Sequence, residues 1–235
     1  TPTTYYNLGV GTNSATTAGR TYFISGTVTV LNDLTVGHAN GGDADVHTLD
    51  INSTGTGILD VNGNVTITSK GILIANDDQS FTVGGSWTNN GGFTNSSGTV
   101  TFNDDGTATS KTITDPDNAT FYNLTINAGT DTYTLAVIGM TTVSNAFNIT
   151  NGTFSQGTSY NLTSGAVTVG AGGIWSNLGT GDVTLSGNVS NAGTITLDSN
   201  GGGQCAGNMT DDIVLTDAGT TQRTWSGAGT FNLYD

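Results

Sequence analysis

The sequence contains no glutamate, only two lysines (Lys70, Lys111) and two arginines (Arg20, Arg223), and a single cysteine, Cys205. Each scarcity excludes something. Helices draw on Ala, Leu, Glu, Lys, Gln and Arg, and a chain short of most of these is expected to form almost no α-helix. A lone Cys205 cannot make an intramolecular disulfide, so it is either buried or paired between chains. No run approaches the roughly 20 apolar residues that span a bilayer as a helix, which predicts no membrane insertion. No leader is visible ahead of Thr1, and the opening TPTTYYNL reads as a mature or excised chain. The missing cations leave a net charge of −14, from Asp alone. Such a surface repels phosphate backbones and anionic lipid, which argues against nucleic acid and membrane surfaces as partners.

What is abundant is Gly, at 36 residues, with Thr and Asn throughout. Short alternating segments recur: Gly26 to Val30, Asn64 to Thr68, Gly98 to Phe102, Ala166 to Val169, Asp182 to Leu185 and Gly193 to Leu197. Each places Val, Ile, Leu or Phe on one face and mostly Thr on the other, the period of a strand with one buried face. Asn-Gly, Gly-Gly and Asp-Asp-Gly groups between them supply turn conformations.

A long repeat fills the chain. Tyr5-Tyr6-Asn7-Leu8 aligns with Phe121-Tyr122-Asn123-Leu124, Tyr22 with Tyr133, and Val28 to Val30 with Thr141 to Val143. The expected divisions are 1–119, 120–229 and a third copy beginning at 230–235, where Gly229-Thr230-Phe231-Asn232-Leu233 repeats the opening wording. A finer unit lies within: Trp87-Thr88-Asn89-Asn90-Gly91-Gly92-Phe93, Val189-Ser190-Asn191-Ala192-Gly193-Thr194-Ile195 and Ile149-Thr150-Asn151-Gly152-Thr153-Phe154. It reads as strand, tight turn, strand, at about the 20 to 25 residues of one solenoid coil. The expected fold is all-β, a β-helix or β-solenoid with outward Thr, Asn and Ser. The alternative is two tandem β-sandwich domains.

Most of the chain from Thr4, and best the wording from Trp87 to Phe154, resembles repeats of large β-helical surface proteins of bacteria and archaea, similar in style to filamentous-haemagglutinin-type adhesins. The resemblance implies a right-handed β-helix, export, an extracellular or cell-surface location, and no catalytic residues. The segment from Gly201 to Asp212 departs from the pattern.

Chemistry-bearing groups are few. Asp104, Asp105, Asp115 and Asp117 sit in turn-like clusters whose oxygens suit Ca²⁺. An EF-hand's closing Glu is missing, and Asp is an ordinary turn residue. His38, Asp43, Asp45 and His47 can be drawn as a transition-metal site, against the plainer reading of a polar loop. Adjacent Asp residues on a strand point to opposite faces, and no nucleophile motif appears, so no enzyme is expected. Ten Asn-x-Ser/Thr sequons, among them Asn52, Asn64, Asn123, Asn148 and Asn188, are candidate glycosylation sites. Trp87, Trp175 and Trp225 are expected as core stacks or end covers rather than sugar platforms.

Thr-x-Thr pairs (Thr27/Thr29, Thr66/Thr68, Thr99/Thr101, Thr112/Thr114, Thr194/Thr196) would make a glycan- or ice-binding array if stacked in register. Their irregular spacing instead predicts plain outward Thr. The expected function is a structural subunit of an extracellular filament or surface assembly. Copies would join head-to-tail through open coil ends involving Thr1, Tyr5, Tyr6, Leu8, Phe231, Leu233 and Tyr234. The alternative is an adhesin-type module for glycan or ice within a longer array.

Overall fold

The computed structural model describes residues 3–11, 18–37, 45–53, 55–104, 106, 109–116, 119–135, 140–157, 160–179, 181–198, 213–215 and 225–234. Among these there is no helix, and the strands pair in parallel. The fold is a β-solenoid. Parallel stacking rules out the tandem β-sandwich alternative, whose sheets are antiparallel.

Two compact units divide the chain, Thr1–Asp105 and Gly106–Asp235. The expected boundary at 119/120 falls later than this one. The strand Ser110–Thr114 explains the difference, because it stacks on residues 132–135 and so belongs with the second unit.

In the first unit each coil makes three strands. The first stack holds Thr4–Tyr5, Thr27–Val30, Ile58–Val61, Ser80–Val83 and Thr99–Asn103. Leu8–Val10, Leu34–Val36, Val65–Ile67 and Trp87–Asn89 make the second. Thr21–Phe23, His47–Asp50, Gly71–Ile74 and Gly92–Thr94 make the third. In-register pairing turns each inward position into a ladder: Tyr5, Val30, Val61, Val83 and Phe102 lie over one another, as do Leu8, Leu34, Val65 and Trp87. Trp87 is fully buried, edge-on to Phe93 at 4.9 Å and Phe102 at 6.4 Å. Such edge-to-face pairs add about 0.5–1.5 kcal/mol beyond the area they bury.

In the second unit three long strands, Thr120–Leu135, Met140–Ser155 and Asn161–Asn177, each run round a whole coil. Small register slips mark the corners, between Phe121 and Asn123, Val143 and Ala146, and Ile149 and Asn151. The later coils break at the same places into Val183–Leu185, Val189–Asn191 and Thr194–Asp198, then Ile213–Leu215, Trp225–Ser226 and Thr230–Tyr234. Phe147 meets Phe154 at 4.8 Å and Trp175 at 5.8 Å inside the coils.

Tyr5 and Phe121 both lie on the first strand of a coil, Leu8 and Leu124 on the second, and Tyr22 and Tyr133 on the third. The expected third copy is not in phase. Thr230–Tyr234 stacks on Thr194–Asp198, a third-strand position, whereas Thr120 begins a first strand. Phe-Asn-Leu is an apolar–polar–apolar alternation that any strand of this fold can carry.

The fine repeat marks a corner. Asn89 and Asn191 are buried, and their Oδ1 atoms accept the N–H of Gly91 and Gly193, at 3.1 and 2.9 Å. A side chain at either glycine would strike the preceding coil's backbone: Thr68 and Gly71 carbonyls below Gly91, Gly170 and Gly173 carbonyls below Gly193. Gly193→Ala is therefore expected to destabilise the protein by about 1–3 kcal/mol, the usual cost of forcing atoms into packed space. A urea melt with an unchanged midpoint would remove this account of the corner.

Candidate functional site

Four polar features stand out: an open coil end, two ladders of side-chain acceptors, a buried ion pair, and the outward hydroxyls.

The open end is the first coil. Tyr5, Leu8 and Tyr22 are only half-buried, while the residues stacked on them, Val30, Leu34 and Leu49, are buried. Between them opens a cavity of about 390 Å³ lined by Tyr5, Leu8, Val10, Tyr22, Ile24 and Val28. Tyr6 and Phe23, 70% and 62% exposed, stand beside it. Among the described residues, no strand pairs the outer edge of Thr4–Tyr5 or Leu8–Val10. Of the expected assembly residues, Tyr5, Tyr6 and Leu8 thus gather at this opening. Phe231, Leu233 and Tyr234 lie on the strand over Thr194–Asp198, and Thr1 is outside the described residues.

Acceptor ladders run up the corners of the first unit. The Oδ1 of Asn7 accepts the N–H of Asp33 (3.1 Å), Asp33 accepts that of Asn64 (2.9 Å), and Asn64 that of Ser86 (2.8 Å). Sequence spacing between these partners varies from 22 to 31 residues, yet the ladder is unbroken. At another corner Asn52 and Asp77 bond reciprocally, and Asp77 accepts both the N–H and the hydroxyl of Ser97 at 3.0 Å. The Asn52 amide first, then Ser97, hold the Asp77 carboxyl below its ordinary value.

Lys111 and Asp131 form a buried pair in the second unit, Nζ to Oδ2 2.5 Å, with Nζ 5.6 Å from the Tyr133 ring centre. Asp131 also accepts the N–H of Thr109 at 2.8 Å. Lys111 occupies a ladder position over Tyr133, where an apolar residue is the rule.

The expected sites fare as follows. Asp104 is exposed in the first unit and Asp115 buried in the second, while Asp105 and Asp117 lie outside the described residues. Among the described residues, no three His, Cys, Asp or Glu side chains gather to hold a metal. His47 is no polar-loop residue. It points into the coil, fully buried, 6.4 Å from the Tyr22 ring, and its Nδ1 accepts the Arg20 N–H at 3.3 Å. His38 and Asp43 are outside the described residues, as is Cys205. Of the sequon residues, Asn52 and Asn64 have their amides engaged in the ladders, and Asn123 accepts from Asn145 at 2.8 Å. Asn188 is exposed, and Asn148 lies half-buried on an outward column with Thr168. Trp87 and Trp175 are fully buried and offer no platform to a sugar.

No protein-family model, curated protein or solved structure matches this chain.

The hydroxyls are ordered where irregular spacing had predicted scatter. On the third face of the second unit, Ser110, Thr132, Thr153, Ile174, Thr194 and Thr230 form one column. Thr112, Thr134, Ser155, Ser176 and Thr196 form a second beside it. The corners absorb the differences in coil length, so uneven spacing in sequence leaves register intact. The first unit is less regular: Asp60 interrupts the column of Thr29, Thr82 and Thr101, and the Thr82 hydroxyl donates to it.

Two tests follow from the polar groups. A carboxylate whose folded-state pKa is depressed stabilises above its ordinary pKa and ceases to as pH falls through the folded value. The stability gap between the wild type and Asp77→Ala is thus expected to be full at neutral pH and to close below the ordinary carboxylate range. Chemical denaturation across pH reads it, and a pH-independent gap would sink the assignment. Lys111→Ala leaves Asp131 buried without its cation, at an expected cost of about 3–5 kcal/mol. The Lys111→Met/Asp131→Asn double variant keeps the acceptor for Thr109 and is expected to lose less. Equal losses would show that the pair is not coupled.

Proposed function

We propose that the chain is a structural subunit of an extracellular filament or cell-surface assembly, and that coils of one copy stack on coils of the next. The observation that carries this reading is the open first coil. Among the described residues it joins strand edges without an outer partner to a cavity whose lining includes Tyr5, Leu8, Tyr22 and Val28, whereas in the next coil Val30, Leu34 and Leu49 are buried. A parallel coil is the partner that meets both demands at once, since it supplies backbone hydrogen bonds at about 4.8 Å and an apolar lid together. A second copy of this chain supplies such coils. The contact is heterologous, and propagates into a fibre when its rotation does not close. The resemblance to β-helical adhesins supports the same reading. A second reading, an adhesin-type module for glycan or ice, is favoured by the two hydroxyl columns of the second unit.

Electron microscopy of the concentrated protein tests the first reading. Fibres with an axial repeat near one chain's length are expected. Leu8→Asp and Phe23→Asp, which place charge at the opening, are expected to leave the β-sheet circular dichroism intact and abolish the fibres. Wild-type protein that stays discrete and monomeric overturns the proposal.

A further inference from the structure

We propose that the third face of the second unit is an ice-binding surface. The two columns lie on parallel strands about 4.8 Å apart, and successive outward positions along a strand are about 6.6 Å apart. The result is a two-dimensional lattice of hydroxyl and methyl groups.

Beneath it runs a ladder of large buried side chains, Tyr133, Phe154, Trp175 and Ile195, which fills the interior and holds the strands level. Ile174, 41% exposed, adds an apolar group within the array.

Charge identifies the occupant. The chain carries −14, yet no position in either column is charged, and Asp198 follows Thr196 beyond both. The face therefore complements a neutral partner. A hydroxyl gains little from a single hydrogen bond exchanged with liquid water. A periodic row of them gains when one rigid partner engages many at once, because each later contact is made without further loss of freedom. Ice is neutral, rigid, periodic and built of hydrogen-bonding oxygens at comparable spacings. A soluble sugar fits less well, since small ligands favour a concave site with converging polar groups, and this face is the outward side of paired parallel strands, with Trp175 turned inward. The inference does not depend on end-to-end association.

Ice-recrystallisation inhibition and thermal hysteresis of the full chain test it. The wild type is expected to inhibit recrystallisation. Thr153→Lys, in the middle of the array, is expected to lose that activity, and Thr168→Lys, exposed on the second-strand face of the same unit, to keep it. Matching melting temperatures for the two variants confirm that both fold. A wild type without effect on ice overturns the inference, as does equal loss in both variants. So does pelleting with crystalline cellulose or chitin in the absence of any ice activity.

Discussion

Everything in this molecule depends on one constraint: the backbone N–H and C=O groups of each coil must meet those of the next coil, in parallel and in register. In-register pairing places like position over like position. Side-chain choice then becomes a choice of column. Apolar columns fill the interior, as Leu8, Leu34, Val65 and Trp87 do. Acceptor columns close the corners, and hydroxyl columns cover the flanks. The same constraint leaves the corners free to vary in length, since a corner residue need not pair with the coils above and below.

Corners are where the constraint is hardest to satisfy, because a chain that turns inward leaves backbone polar groups without strand partners. Buried asparagine is the repeated answer. Asn76 and Asn177 accept the N–H two residues on and donate to corner carbonyls, Asn76 to Ile51 and Gly57, Asn177 to Gly181. Asn191 does the same with Gly193 and Thr230. Gln156, the residue after Ser155, donates to the carbonyls of Tyr160 and Asp182. The amide is suited to this because it carries donor and acceptor on one short group without charge. The Lys111–Asp131 pair achieves a related end with charge, and there the Asp131 carboxylate must satisfy both an ammonium and the Thr109 N–H.

The fold was legible because its strands advertise their inward face residue by residue, as in Gly26 to Val30. Turn wording such as Trp87 to Phe93 also repeated at the corner it forms. Phase was less legible. The strand from Thr230 to Tyr234 shares an alternation with the strand from Thr120 but a different place in the coil, and alternation alone does not encode which of three faces a strand occupies. Buried asparagine was hidden for a similar reason: Asn89 and Asn191 look like turn residues, and they are, but with side chains directed inward. The hydroxyl array is not legible in the sequence, because spacing along the chain does not measure spatial register. Corner insertions break that link.

The acidity of the chain acquires a structural meaning in this frame. Asp33, Asp50, Asp77 and Asp131 each accept backbone N–H groups at corners. Asn serves at the equivalent place, as Asn7 and Asn64 do, so the negative charge is not required for closure. Its consequence is outside the coil. With four cations in the whole chain, approach of two copies through their charged corners brings carboxylates together without compensation. The opening lined by Tyr5, Leu8 and Tyr22 differs, since none of its lining side chains is charged. Charge placed at corners is thus withheld from that opening and from the two hydroxyl columns of the second unit.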